Sequence, residues 1–180
     1  MTDLTLLTIC GAVRAGSTNR LLLAEAARVF GTAKVAEADL RLPLYDNDLE
    51  DAAGIPDEVQ ALADQIRGAD AVVISTPEYN KSLSGVLKNA LDWVSRVPGA
   101  VWRDKPVAIV SAADGRAGGE RAQFALRLCM VAFRPRLLAG PEVMVANSRS
   151  AFDAAGRLVD ARTVKGLTDL MQSLRVEAMR

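Results

Sequence analysis

Residues 69–75 read Ala-Asp-Ala-Val-Val-Ile-Ser, and residues 106–111 read Pro-Val-Ala-Ile-Val-Ser. Both runs are apolar at successive positions rather than at alternate ones, which is typical of strands covered on both faces. Such strands occur in parallel sheets, where the crossover connections place helices over each face. These two segments therefore indicate an α/β protein built on a central parallel sheet.

The sequence on either side alternates between short apolar runs and longer amphipathic ones. The pattern predicts further strands over 4–10, 34–38 and 137–145, and helices over 18–30, 56–67, 83–95, 119–133 and 160–179. Residues 41–55 are polar and contain proline and glycine, so they are predicted to form a loop. This alternation fits one doubly wound, flavodoxin-like domain over residues 1–180, with five parallel strands in the order 2-1-3-4-5 and helices on both faces.

Composition narrows the possible functions. The 22 Lys+Arg balance the 22 Asp+Glu, which argues against a protein that binds nucleic acid through a strongly basic surface. The chain has no histidine, so no imidazole can serve as a general base or metal ligand. Cys10 and Cys129 have no Cys-x-x-Cys spacing, so neither a zinc ribbon nor a disulfide framework is supported. The first apolar run ends at Cys10, too short for a signal peptide or membrane span, and a cytoplasmic protein is expected.

In a doubly wound sheet, ligands bind outside the carboxyl ends of the strands, near the point where the strand order reverses. The loops that follow Cys10, Ser75 and Ser111 are therefore expected to share one crevice. All three are rich in glycine and polar residues.

The first loop, residues 11–20, reads Gly-Ala-Val-Arg-Ala-Gly-Ser-Thr-Asn-Arg. A helix start offers unpaired N–H groups to a phosphate, and Arg14 adds a fixed cation. The spacing of Gly11, Gly16 and Ser17 is similar to that of a Walker A loop, but no lysine precedes Ser17, which favours a monophosphate over a triphosphate with Mg²⁺. Alternatively, Ser17 or Thr18 simply caps the helix and Arg14 is solvated.

The second loop, residues 76–85, places Tyr79 and Asn80 where the sheet opens, after the stiffening Pro77. An aromatic edge with nearby amides suits a flat heteroaromatic ring, although an ordinary helix-entry loop would look similar. The third loop, residues 111–119, contains three glycines that allow close approach of the backbone to a ligand, or alternatively a flexible turn. Together, a phosphate cradle, a planar slot and an amide-rich loop describe a mononucleotide with a flat ring system, and FMN fits that description.

The motifs resemble those of the NADPH-dependent FMN reductase family, the flavodoxin-like enzymes that include quinone, chromate and azo-dye reductases. The resemblance rests on the first loop, on Pro-Glu-Tyr-Asn at 77–80 followed by Gly-Val-Leu-Lys-Asn-Ala-Leu-Asp-Trp at 85–93, and on Gly-Arg-Ala-Gly-Gly at 115–119. The match in order and spacing continues as far as Leu158. Two positions depart from the family pattern: Ala12 replaces a usual serine, and Asp114 replaces a usual proline or small residue.

The resemblance implies a tightly held FMN that is reduced by NADPH or NADH and passes electrons to a small acceptor in a ping-pong cycle. Quinones, azo compounds, chromate and free flavin are the candidate acceptors. No proton-transferring side chain is required. The residues implied at the site are Arg14, Ser17, Asn19 and Arg20 at the phosphate, Pro77, Glu78, Tyr79 and Asn80 along the ring, and Ser111, Gly115 and Arg116 near its pyrimidine side.

The resemblance implies a homodimer or homotetramer, and the broad apolar face of the helix over 83–95 is the expected interface, unless that helix is only a deeply covered core helix. A carboxylate at Asp114 is expected to lower the reduction potential of the flavin. The alternative functions are a flavodoxin-like one-electron carrier that binds redox proteins, and a phosphate-binding or nucleotide-hydrolysing protein without flavin.

Overall fold

The computed structural model describes residues 4–180, so Met1–Asp3, which form part of the predicted N-terminal segment, lie outside the described residues. The strands are β1 Thr5–Cys10, β2 Lys34–Ala38, β3 Ala71–Thr76, β4 Pro106–Ala112, β5 Arg136–Leu137 and β6 Val143–Val145. The helices are α1 Thr18–Phe30, α2 Asn47–Ala53, α3 Asp57–Gly68, α4 Gly85–Arg96, α5 Glu120–Met130 and α6 Ala161–Ala178.

The sheet confirms the predicted topology. Its strand order is β2-β1-β3-β4-β5, every described pairing is parallel, and β6 also pairs with β4. Cys10 lies opposite Ser75, and Thr76 lies opposite Ser111. The three loops that follow these strands therefore begin at the same edge of the sheet.

Two hydrophobic clusters cover the two faces of the sheet. Helices α3, α4 and α5 pack on one face, and α1 and α6 pack on the other. Every residue of β3 and β4 is buried. This explains why those two strands lack alternation in the sequence, since neither face meets water.

The prediction of a loop over 41–55 was wrong over Asn47–Ala53, which forms α2. Asp46 caps this helix by accepting a hydrogen bond from Asp48 N at 2.9 Å, and Gly54 ends it with a φ of 77°. None of its seven residues is buried, so the sequence has no apolar stripe to reveal it. Instead the segment is anchored to α4, where Trp93 Nε1 donates to Pro43 O at 2.8 Å.

The single strand predicted over 137–145 was also wrong. Two short strands lie along the outer side of β4 instead: β5 pairs with Pro106–Val107 and β6 pairs with Val110–Ala112. Pro141 lies between them and has no N–H to donate to β4, so the chain leaves the ladder and rejoins it. The sheet consequently has six strands in five positions.

Helix α4 is a core helix. Its apolar residues, except the half-buried Val86, are buried inside the protomer, namely Leu87, Ala90, Leu91, Trp93 and Val94. Its solvent side carries Lys88, Asp92 and Ser95. Most of the apolar face that was expected to meet a second subunit therefore packs inside the protomer.

Candidate functional site

A crevice with a cavity of about 250 Å³ lies at the carboxyl ends of the central strands. It is lined by residues of all three predicted loops and of the segment after β6, namely Arg14, Ser17, Thr18, Asn19, Pro77, Glu78, Tyr79, Ala112, Ala113, Asp114, Ser148 and Arg149. Of the predicted site residues, Arg14, Ser17, Asn19, Pro77, Glu78 and Tyr79 meet here.

The first loop forms a tight turn in which Ser17 N donates to Arg14 O at 3.2 Å. Ser17 caps α1, because its Oγ accepts from Asn19 N at 3.2 Å. Within residues 4–180, the N–H groups of Ala15, Gly16 and Thr18 have no hydrogen-bond acceptor. With the exposed Arg14 beside them, they form a site suited to an anion at the start of a helix.

Asn19 holds the strand ends together rather than facing a ligand with its side chain. It is buried, and its Oδ1 accepts from Ser75 Oγ at 2.7 Å and from Ala112 N at 3.0 Å. Its Nδ2 donates to Ala112 O at 2.9 Å. One amide thus links α1 to the ends of β3 and β4, which fixes the shape of the crevice floor.

Two predicted site residues turn away from the crevice. Arg20 forms an ion pair with Glu37 of β2 and lines a separate hollow between α1 and that edge strand. Ser111 is buried beneath the third loop, where its Oγ donates to Gly118 O at 2.6 Å and accepts from Gln123 Nε2 at 2.9 Å. The structure therefore gives Ser111 a role in supporting the loop.

The second loop forms a two-residue hairpin turn. Tyr79 and Ser82 exchange two backbone hydrogen bonds of 3.1 Å, and Asn80 and Lys81 between them have φ values of 50° and 66°. Positive φ at both central residues is the hallmark of a type I′ turn. The turn leaves Tyr79 half exposed at the mouth of the crevice, while Asn80 lies at the exposed tip, outside the lining.

Glu78 joins the second loop to α5. Its Oε2 accepts from Arg121 N at 3.0 Å and from Ala122 N at 3.3 Å. The cap residue of α5 is Gly119, which has no side chain to do this, so Glu78 satisfies the helix start from outside. Its carboxylate is engaged there rather than along the centre of the crevice.

The third loop requires glycine at two positions. A Cβ on Gly118 would lie 2.6 Å from the carbonyl carbon of Met144, and one on Gly119 would lie 2.8 Å from Ser111 Oγ. The tip of the loop is open, with Gly115 and Arg116 exposed and no atom within 4 Å of a Cβ at Gly115. In the described part of the chain, the N–H groups of Asp114, Gly115 and Arg116 have no acceptor, so they remain available as donors.

Ser148 and Arg149 were missed by sequence reasoning. They reach the crevice because the segment after β6 is hydrogen-bonded to the end of β4, with Ala113 N donating to Val145 O at 3.0 Å. Arg149 Nε then lies 3.1 Å from Asp114 Oδ2. The available signal was topological: the strand beside β4 must bring its following segment to the same edge.

One thiol, that of Cys10, lies near the crevice. Burial raises the pKa of the Cys10 thiol at the end of β1, so this cysteine behaves as a small apolar side chain.

Across residues 4–180, no group of three or more potential metal ligands occurs. A search of the same residues finds no helix long and apolar enough to cross a membrane.

These features define a class of protein: a flavodoxin-like α/β fold with a crevice at the carboxyl edge of its sheet that suits a mononucleotide. FMN fits the residues present. Its single phosphate matches the free amides and Arg14, and its ring matches a slot between Tyr79 and the donors of the third loop.

Comparisons with known proteins agree. The chain matches the model of the NADPH-dependent FMN reductase family over residues 4–150 and belongs to that family. It is 42% identical over 180 residues to an NAD(P)H-dependent FMN reductase of Pseudomonas aeruginosa, covering 99% of this chain and 97% of that one. It is 39% identical over 175 residues to a quinone reductase of Escherichia coli, covering 92% and 90%.

The solved structure of FerB, a flavoenzyme NAD(P)H:(acceptor) oxidoreductase from Paracoccus denitrificans, superimposes with a TM-score of 0.86 at 30% identity, covering 97% of each chain. The expected enzyme class, an oxidoreductase that uses FMN and NAD(P)H, is thereby confirmed.

Proposed function

We propose that this protein is an FMN-dependent NAD(P)H oxidoreductase that passes electrons to small acceptors, quinones first among them, by a ping-pong cycle. The observation that carries the proposal is the convergence of three strand-end loops on one crevice with unpaired N–H groups and Arg14. The relative named a quinone reductase supports the choice of acceptor, with azo compounds, chromate and free flavin as further candidates. The two free cysteines suit the cytoplasm, which is part of this proposal and is tested by cell fractionation.

The residues of this chain have distinct tasks in that scheme. Arg14 and the N–H groups of the first loop hold the phosphate, while Asn19 keeps the strand ends in register beneath it. Tyr79 lines the slot for the ring, and the third loop donates hydrogen bonds to its acceptor atoms. Bound FMN supplies the chemistry itself, taking up a hydride from NAD(P)H and returning two electrons to the acceptor.

Anaerobic spectroscopy tests the proposal. The protein loaded with FMN should lose its visible flavin absorbance within seconds of adding NAD(P)H, without any second protein, and regain it when a quinone is added. Initial rates at several quinone concentrations should then give parallel double-reciprocal lines. A one-electron carrier would keep its colour until a separate reductase was supplied. Failure of the protein to take up FMN would exclude both the oxidoreductase and the one-electron carrier.

The homodimer or homotetramer expected from the resemblance also remains a proposal, and the structure offers a surface for it on α5. Phe124 and Leu128 of α5, and Val131 just after its end, recur at helical spacing on the solvent side and are 50%, 75% and 71% exposed. A cavity of about 500 Å³ beside them lies between this segment and α4, and is lined by Ala132 and Phe133 and by Leu91, Val94 and Ser95 of α4, among others. A ridge and a hollow on one surface are what two identical copies need to fit each other about a two-fold axis.

Charge supports the antiparallel arrangement of two such helices. Glu120 and Arg134 lie at opposite ends of the ridge, are both exposed, and have no ion-pair partner within residues 4–180. Their midpoint is residue 127, next to Leu128, so two antiparallel copies would place Glu120 of one opposite Arg134 of the other.

The mass in solution at micromolar concentration tests this interface. Leu128→Glu should give a monomer, whereas Val176→Glu, a matched change at an exposed apolar position on α6, should not. Glu120→Arg alone should weaken the dimer, and adding Arg134→Glu should restore it. A monomeric wild type, or a dimer unaffected by Leu128→Glu, would contradict the assignment.

A further inference from the structure

Arg149 lines the crevice but belongs to none of the three loops that the sequence singles out. Its backbone is fixed against the exit of β4, because Ser148 N donates to Ala113 O at 3.2 Å and Ser148 is buried. Its side chain, in contrast, is 86% exposed. The backbone at Arg149 is therefore held in place, and its long cationic side chain extends into solvent beside the third loop.

Asp114 is the group that faces this cation. The separation of 3.1 Å between Arg149 Nε and Asp114 Oδ2 joins two side chains that are both largely exposed, and such pairs contribute little to folding stability. The other carboxylate of the lining, that of Glu78, accepts hydrogen bonds from the start of α5. Among the charged residues that line the crevice, Asp114 and Arg149 are therefore the pair on the third-loop side, while Arg116 lies at the exposed tip of that loop.

The chemistry of the flavin ring indicates which of its two edges lies beside Asp114 and Arg149. One edge carries two carbonyl oxygens and ring nitrogens that accept hydrogen bonds, and the opposite edge carries methyl groups. The free N–H groups of Asp114, Gly115 and Arg116 suit the acceptor edge. Negative charge grows on this edge when the ring is reduced, so a nearby cation favours the reduced form and a nearby carboxylate opposes it.

Resting on the proposed function, we propose that Arg149 tunes the redox equilibrium of the bound flavin. Its guanidinium offsets the carboxylate of Asp114, so that reduced FMN is held more tightly, relative to oxidised FMN, than it would be beside Asp114 alone. Asp114 in turn keeps the long, exposed side chain of Arg149 at the third loop.

Reduction potentials of the FMN-loaded protein test this in a double-mutant cycle. Arg149→Gln should weaken the binding of reduced relative to oxidised FMN by up to about tenfold, equivalent to a potential lower by ~30 mV for two electrons. Asp114→Asn should move the potential the opposite way, and the double variant should lie close to wild type. Arg149→Lys, which keeps the charge, should retain most of the wild-type potential.

Arg180→Gln is the matched control, since it removes an exposed arginine that pairs with Glu177 near the start of β5, at the end of the sheet away from the crevice. Its potential should equal that of wild type. An Arg149→Gln potential equal to or above wild type overturns the inference, and so does a change confined to the KM for NAD(P)H. A wild-type protein that held no FMN would instead overturn the proposed function together with this inference, so the two failures are distinguishable.

Discussion

At the scale of single residues, the sequence predicted where polar groups gather better than what they bind. Arg14 and Tyr79 lie at the crevice as expected, because their loops begin at the carboxyl ends of neighbouring parallel strands. Asn19 and Ser111 were predicted as ligand contacts, yet the side chains of both form hydrogen bonds within the protein, to Ala112 O and Gly118 O. A sequence shows which donors and acceptors exist, but their partners depend on distances between loops that are far apart along the chain.

Arg14 provides the direct test of phosphate binding. Arg14→Ala should weaken FMN binding by ~1.5–3 kcal/mol, the usual contribution of a hydrogen bond to a charged group. Arg20→Ala is the matched control, because Arg20 pairs with Glu37 away from the crevice and its loss should change affinity far less. Fluorescence titration with FMN measures both, and equal effects of the two substitutions would remove Arg14 from the site.

Gly118 tests the shape of the third loop. Gly118→Ala should lower the free energy of unfolding by about 2 kcal/mol or more, since the residue has a φ of 61° and its new Cβ would strike the backbone of Met144. Gly115→Ala, which has open space around its Cβ, should change it by less than about 0.5 kcal/mol. Urea unfolding compares the two, and indistinguishable midpoints would show that the loop is not held as described.

At the scale of elements, the helices and strands that bury an apolar face were predicted well. Helix α2 was missed because its capping residues, not an apolar stripe, define it. The last strand was drawn too long because Leu137 and Val145 both belong to strands, while the break between them depends on Pro141 and on pairing with β4. Helix α4 has an apolar face wide enough to suggest an interface, but the protomer core covers most of it.

Glu78 should matter to α5 more than to the flavin ring. Glu78→Ala removes the acceptor for two N–H groups at the start of that helix and should cost about 1 kcal/mol of unfolding free energy. Glu142→Ala, an exposed glutamate with no hydrogen bond or ion pair in the described residues, is the control and should have little effect. If Glu78→Ala left the urea midpoint unchanged while greatly weakening FMN binding, Glu78 would be a ligand contact rather than a cap.

At the scale of the whole molecule, the sheet topology brings together loops that no single sequence motif would connect. The order 2-1-3-4-5 followed from buried strands alternating with helices, and it placed three distant loops in one crevice. The same logic, extended to the strand beside β4, accounts for Ser148 and Arg149.

Acid should destabilise the fold partly through Glu25, which joins α1 to the segment before α6. Its carboxylate is buried and lies 3.0 Å from Arg28 Nε and 2.6 Å from Arg157 Nε. Burial alone would raise its pKa, but the hydrogen bond from Arg28 and the charges of Arg28 and Arg157 outweigh burial and lower the pKa. Because the folded pKa lies below the unfolded one, of about 4.3, its stabilising contribution is full above that pH and is lost as the pH falls through the folded pKa.

Urea unfolding between pH 7 and pH 3 measures this contribution. Glu25→Gln should be less stable than wild type at pH 7, with the difference shrinking as the pH falls below about 4.3. Asp64→Asn, which removes an exposed carboxylate paired with Arg67, should show almost no such convergence. A difference between Glu25→Gln and wild type that stayed constant across this range would exclude the ion pair as its source.

The central claim is that the carboxyl ends of β1, β3 and β4 together hold FMN, and a crystal structure of the protein grown with FMN tests it most directly. We predict the phosphate on the N–H groups of Ala15, Gly16 and Thr18 beside Arg14, with the ring between Tyr79 and the third loop. Ordered flavin bound elsewhere on the molecule, or side chains filling the crevice while flavin is present in excess, would contradict the account.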